Sequence, residues 1–281
     1  MSKDRHSSNF LIRALLGIPG MRRRIAFAMA HSHLSDLHLR MPLEGGLCAP
    51  LDHRDAFIAF SETFLSGEYG DLFSRLPLPG RWLDIGSHRG YFSLWLACER
   101  LRRGMSGAGQ ALLIDADPRA LGWFNNLREA NPALGGFQFM HAADASPESG
   151  DKVEFALREG MTSARPADMP LACDSLVSVP ILKTAAVLEK IAAPYDLIKV
   201  DVEGAEFTLL ETMGDLLAQT QYLVVEWHGR GNGVEAEGRL IKDAAALGFG
   251  APEKLRPDRV APDGPDAYVA GTHLYHRVRK A

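Results

Sequence analysis

The sequence predicts an α/β protein: a doubly wound, mostly parallel sheet closed by an antiparallel strand, with a helical cap at its N-terminus. Three observations predict it. From Arg81 onward short apolar runs alternate with helical patterns, which is how strands joined by crossover helices read. The tail "AYVAGTHLYHRV" alternates with period two, as a closing antiparallel strand does. Ahead of both, helical periodicity covers residues 8–38 and 54–76, broken by "GIPG" and "MPLEGGLCAPLD". Residues 1–75 are read as the accessory cap and residues 76–281 as the main domain.

In chain order the main domain opens with the strand "RWLDIG" and the helix "GYFSLWLACERL", then the strand "ALLIDA" and the helix "PRALGWFNNLREAN". "FQFMHAA" is a third strand, "KVEFAL" part of a hairpin and "TAAVLEKIA" a helix. "DLIKVDV" is the fourth strand, "AEFTLLETMGDLLA" its helix, "YLVVEWH" the fifth strand and "EAEGRLIKDAAALGF" the last helix.

A chain of 281 residues, 46% hydrophobic and 23% charged, can bury one large core. The net charge of −4 argues against a nucleic-acid scaffold, although residues 1–24 alone carry +5. That basic segment reads as part of the cap. Cys48, Cys98 and Cys173 are odd in number and widely spaced, which suggests neither a disulfide framework nor a thiolate metal site, and a cytoplasmic setting fits best. Arg13 interrupts the one apolar run that looks like a signal peptide, and no run is long enough to span a bilayer.

In a doubly wound sheet the ligand lies outside the carboxyl ends of the central strands. The first strand ends in "LDIGSHRGYF". Gly86 lets the backbone approach a ligand and Gly90 lets the next helix sit tightly on the sheet, but the third glycine of a dinucleotide fingerprint is missing. Asp84, just ahead of the loop, would repel a pyrophosphate. A cofactor with a positive end gains from it instead, and S-adenosylmethionine carries an ammonium and a sulfonium without any phosphate. The plain alternative is a tight strand–helix turn whose glycines serve packing alone.

Asp115 ends the second strand, where a carboxylate accepts from both hydroxyls of a ribose. Asp117, before Pro118, suits a helix first turn better. After the third strand Asp144 is placed to read an adenine amino group, or to make a local turn, and His141 within the strand reads as structural. Asp201 ends the fourth strand, next to the first, and so faces the reactive end of the cofactor; Glu203 and Gly204 make the turn after it. Glu206 fits first-turn dipole chemistry. Lys199, inside the strand, needs a carboxylate partner if buried. On the fifth strand, alternation puts Glu226 and His228 on one side, as a base and its orienter or as two groups ending in solvent.

Taken together, "WLDIGSHRGYFSL", "LLIDADPRALGWFNNLREAN", "DLIKVDVEGAE" and "VVEWH" resemble the FkbM family of S-adenosylmethionine-dependent methyltransferases over about residues 55–250. The resemblance implies a Rossmann-like class I methyltransferase fold with a seven-stranded sheet. It implies cofactor contacts at Asp84, Gly86, Ser87, His88, Gly90, Tyr91, Asp115, Ala116, Asp144, Asp201 and Glu203, and catalytic roles for Asp201, Glu226 and His228. The family often has Ala-Asn where Ser87 and His88 stand and Glu-Pro where Asp115 and Ala116 stand; His88 is placed to alter the methionine end of the pocket.

The implied reaction is O-methylation of a hydroxyl on a sugar or secondary metabolite, with some members acting on nitrogen. His228, oriented by Glu226, or Asp201 directly, takes the proton. No resident metal is assigned, and a Mg2+-assisted version on Asp201 and Glu226 is the variant. The rivals are an NAD(P)-linked oxidoreductase and a non-catalytic binding module. A small-molecule acceptor is expected, with no nucleic-acid partner and no integral membrane association; a homodimer is admitted.

Overall fold

The computed structural model describes residues 21, 38–145, 150–157, 165–166, 175–230, 233–260 and 268–278. Most of the periodic stretch 8–38 lies outside the described residues. From residue 39 the chain forms a hairpin, β1 (Leu39–Pro42) and β2 (Cys48–Leu51), then α1 (Arg54–Phe60), which runs into a wider turn at Ser61–Leu65, and α2 (Leu72–Arg75). The helices fall within the periodic stretch 54–76, but the hairpin falls on residues read as a break. Its signal was period two: Leu39 and Met41 are buried while Arg40 and Pro42 are exposed.

The main sheet contains β3 (Arg81–Ile85), β4 (Gln110–Asp115), β5 (Phe137–His141), β9 (Tyr195–Val200), β10 (Thr220–Arg230), β11 (Glu253–Lys254), β12 (Arg259–Val260) and β13 (Tyr268–His276). Its order is β11-β13-β10-β9-β3-β4-β5, with β12 also on β13. β5, β4, β3, β9 and β10 are parallel, and β13 runs antiparallel to β10 along Tyr222–Arg230. Between β5 and β9 sits a small antiparallel sheet, β7 (Arg165–Pro166), β6 (Lys152–Leu157) and β8 (Ser175–Pro180), of which the expected "KVEFAL" hairpin strand is the centre.

The crossover helices lie on both faces: α3 (Tyr91–Arg102) and α4 (Ala120–Ala130) on one, α5 (Thr184–Lys190), α6 (Glu206–Thr212), α7 (Gly214–Leu217) and α8 (Val234–Ala246) on the other. Alternation within a strand sorts the core. Trp82 joins the aromatic and aliphatic cluster under α3 and the hairpin, while Leu83 and Ile85 join the cluster under α6, α7 and α8. Among the described residues no helix is long and apolar enough to cross a membrane.

Candidate active site

At the carboxyl ends of β3, β4, β5, β9 and β10 a cavity of about 460 Å³ opens. Asp115, Ala116, Asp144 and Leu182 line its β4–β5 end; Asp201, Glu203, Glu226 and His228 line its β9–β10 end, with Glu62, Arg259 and Tyr268 beyond.

Gly86 makes this geometry possible. Its φ of +74° is left-handed, and a Cβ there would overlap the carbonyl oxygen of Asp201. Asp201 N donates to Ile85 O at 3.0 Å, so the β3 turn and the end of β9 are held against each other.

At the β4 end, His88 N (2.6 Å) and Asp117 N (2.8 Å) donate to the two Asp115 carboxylate oxygens. Burial nevertheless raises Asp115 to about 7, because those bonds only partly offset the loss of water. The His88 ring lines the cavity, and burial followed by the neighbouring Arg89 charge lowers it to about 3, leaving it neutral. Asp117 accepts from Arg119 N at 2.8 Å, the first-turn role expected of it. His141 Nε2 contacts Ala116 O at 2.9 Å, a structural contact as expected.

Asp144 is raised to about 6 by burial. One of its oxygens accepts from Thr212 Oγ1 at 2.6 Å, while Oδ2 is buried with no hydrogen-bond partner.

Four sequence-derived cofactor contacts stand behind the cavity wall. Asp84 is 0% exposed, because the pleat turns it toward α3. There it accepts from Ser93 Oγ at 2.7 Å, and Ser93 in turn accepts from Trp82 Nε1 at 2.9 Å. Gly90 packs where a Cβ would crowd Leu113 and Leu127. Tyr91 OH donates to Pro50 O, tying α3 to the hairpin. Ser87 is buried beneath the turn. Asp84 therefore reaches the cavity only through Lys199, whose Nζ lies 3.5 Å from Asp84, 3.3 Å from Asp201 and 2.9 Å from Gly86 O, to which it donates.

This is the carboxylate partnership Lys199 needed. Burial works against its charge, but Asp201 and Asp84 outweigh burial and raise it. Burial likewise works against ionisation of Asp201, yet Lys199 and then His228 hold the carboxyl below its usual range.

The base and its orienter differ from expectation. His228 Nδ1 lies 2.9 Å from Glu206 Oε1, and Glu206 is 0% exposed, so the residue read as first-turn dipole chemistry is the one that holds the imidazole. Glu206 also accepts from Gly204 N at 2.9 Å. Glu226 instead binds Arg259, with Arg256 at 3.2 Å. The strand puts Glu226 and His228 on one side, but β12 and the turn before it supply the arginines that take the carboxylate.

Burial disfavours a charged His228, yet Glu206, Glu203 and Asp201 outweigh it and raise the ring to about 10. Glu203, held at φ +52°, places an oxygen 3.7 Å from His228 Nε2. Asp201, Glu203 and His228 offer ligand atoms within 4.8 Å of one another and could hold a divalent cation, in competition with the His228 proton.

Sequence reasoning missed Glu206, Glu62, Glu68, Arg256 and Arg259. Glu206 had a signal in its spacing from Glu203; the arginines had none, since they arrive from a separate part of the chain.

A parallel sheet in this order, with one antiparallel strand and its cavity at the carboxyl ends, is the class I methyltransferase fold. Residues 84–241, more than half of the chain, match the methyltransferase FkbM domain, and the chain belongs to that family of S-adenosylmethionine-dependent methyltransferases.

Solved structures resemble it distantly. The N-terminal domain of EvdMO1 with SAH bound shares 12% identity over 76% of this chain and 81% of that one, with a TM-score of 0.45. Precorrin-6y C5,15-methyltransferase from Geobacter metallireducens GS-15 shares 10% over 73% and 83% (TM-score 0.41). TYW2 of M. jannaschii in complex with AdoMet shares 12% over 75% of each chain (TM-score 0.40). Likeness this distant says nothing of the acceptor. No curated protein matches the sequence.

Proposed function

We propose that this chain binds S-adenosylmethionine along the cavity and methylates a hydroxyl of a small molecule, a sugar or secondary metabolite. The observation that carries the reading is the pair of strand-end carboxyls at one end, Asp144 with an unpartnered oxygen, and the held imidazole at the other. Asp115 at the end of β4 is positioned to accept from ribose hydroxyls, with Ala116 and His88 beside it, and the unpartnered Asp144 Oδ2 to accept from an adenine amino group. When bound, S-adenosylmethionine supplies an electrophilic methyl group on a sulfonium.

The chain's own residues do the rest. The Lys199–Asp201 pair and the Gly86 turn fix the wall at the methyl-donor end, so that two substrates are held in register for an in-line displacement. Glu206 fixes the His228 tautomer, leaving Nε2 to face the cavity. A cation placed beside Asp201 and Glu203 competes with the His228 proton, because both draw on the same carboxylates. Neutral Nε2 then takes the hydroxyl proton as the C–O bond forms and the C–S bond breaks. Imidazole gains the positive charge that sulfur loses, so the site keeps its charge through the step. The Mg2+ variant on Asp201 and Glu226 gains no support, since Arg256 and Arg259 hold Glu226.

The test is labelled S-adenosylmethionine with an acceptor panel, alongside calorimetry with S-adenosylhomocysteine and with NADH. The reading expects methylated product and heat with the homocysteine compound; heat with NADH alone would overturn it. Loss of turnover in chelator, restored by a divalent cation, would move the cationic role from the His228 proton to a metal.

A further inference from the structure

The charge around the two ends of the cavity is unequal, and the excess lies beyond the methyl-transfer position. There, over β10–β13 and the turn after α1, three carboxyl side chains line the wall: Glu62, Glu68 and Glu226. Two guanidiniums answer them, and both are already shared. Arg256 lies 2.5 Å from Glu68 and 3.2 Å from Glu226, while Arg259 is taken up by Glu226.

Glu62 makes no ion pair with any described residue. Burial, and then the neighbouring Glu68, raise the Glu62 carboxyl above its usual range against the smaller opposing pull of Arg259 and Arg256. Tyr268, at the start of β13, supplies ring surface in the same wall. An anionic acceptor entering here would meet Glu62, which has no ion-pair partner among the described residues, in a partly desolvated wall, where like charge costs most. A neutral polyol would satisfy hydrogen bonds but leave the charge deficit in place. A hydroxyl compound that also carries an ammonium would do both.

We propose that the acceptor is a hydroxyl compound bearing an amine, its ammonium seated against Glu62 and Glu68 while its hydroxyl faces His228. The inference rests on the methyltransferase reading above, and it is tested separately from it. The ammonium donates to the carboxylates and lies against the ring of Tyr268, as cations do on aromatic faces. The hydroxyl then points back toward the β9–β10 end, where Asp201 and His228 line the cavity.

The experiment uses the full chain saturated with S-adenosylhomocysteine and titrated, by NMR on isotope-labelled protein, with three matched probes: glucosamine, glucose and glucose 6-phosphate. Glucosamine is expected to shift signals around Glu62 and Tyr268 with an affinity about tenfold or more above glucose, a difference of roughly 1.4 kcal/mol. The phosphate is expected to leave them unmoved, and added salt to narrow the gap. Glu62→Gln is expected to bring glucosamine down to the level of glucose, with retained homocysteine-compound binding as the check that the variant is folded. Equal response to glucosamine and glucose, a preference for the phosphate, no response to glucosamine, or an unchanged preference in Glu62→Gln would each overturn the proposal. Failure of S-adenosylhomocysteine to bind at all would instead overturn the reading on which it rests.

Discussion

Asp115 and Asp144 at one end of the cavity and Asp201 at the other solve the burial of a carboxylate in opposite ways. At the β4–β5 end, Asp115 and Asp144 are held by neutral donors, two backbone N–H groups and a threonine hydroxyl, and both are raised toward neutrality. At the β9–β10 end, Asp201, Glu203 and Glu206 surround Lys199 and His228, and there Asp201 is lowered. Neutral donors hold an acid in place without fixing its charge, which suits a ligand's hydroxyls and amino group. Ionic partners fix charge, which suits a step in which a proton and a sulfonium exchange places.

The sharpest way to break this contrast is to open the wall between the two ends. Gly86→Ala forces a Cβ into the Asp201 carbonyl at a left-handed φ, and is expected to cost about 3 kcal/mol or more and to abolish cofactor binding. Chemical denaturation with calorimetry on the soluble fraction checks it.

Next in size is Asp115→Asn. Removing a carboxylate acceptor is expected to weaken S-adenosylhomocysteine by about 2 kcal/mol, some thirtyfold. The same change is expected to flatten the pH dependence of the unliganded fold's stability. The sign follows from the direction of the shift: a carboxyl raised to about 7 from the usual carboxylate range makes the fold lose stability as pH rises between those values. Asparagine removes that pH dependence while turning its NH2 toward one of the two backbone donors, so the variant's melting temperature should no longer fall as pH rises to about 7.5, and it should bind worse.

Smaller effects distinguish the ionic end. Glu206→Gln removes the partner that raises His228, so the rising alkaline limb of kcat/KM is expected to move to lower pH. The stability supplied by charged His228 is fully present below about 6.5 and lost as pH rises through about 10. The variant should therefore trail the parent by about 1–3 kcal/mol at pH 6, and the gap should narrow toward pH 10. A uniform loss at every pH, with an unmoved kcat/KM limb, would mean that Glu206 merely packs.

The same contrast decides what the sequence made legible. The strand-end acids were readable because a parallel sheet puts its carboxyl ends on one edge, and Asp115, Asp144 and Asp201 line the cavity as that rule requires. Asp84 was placed on the wrong side of the wall: strand position was read correctly, but the pleat directs its side chain to Ser93. The β9–β10 end was only half readable. Which acid meets His228 depends on the path of the chain after β9, where Glu203 takes a left-handed turn and α6 brings Glu206 up beneath the ring. Arg256 and Arg259 come from the far side of α8, and no local pattern announces that they claim Glu226.

One measurement bears on the exchange of charge most directly. Calorimetric titration of the full chain with S-adenosylmethionine and with S-adenosylhomocysteine, each at pH 8 in two buffers of different ionisation heat, counts protons released on binding. Release of about one proton more with the sulfonium than with its demethylated product is expected, and Glu206→Gln should reduce the difference. Equal proton counts for the two compounds, with both bound, would contradict it.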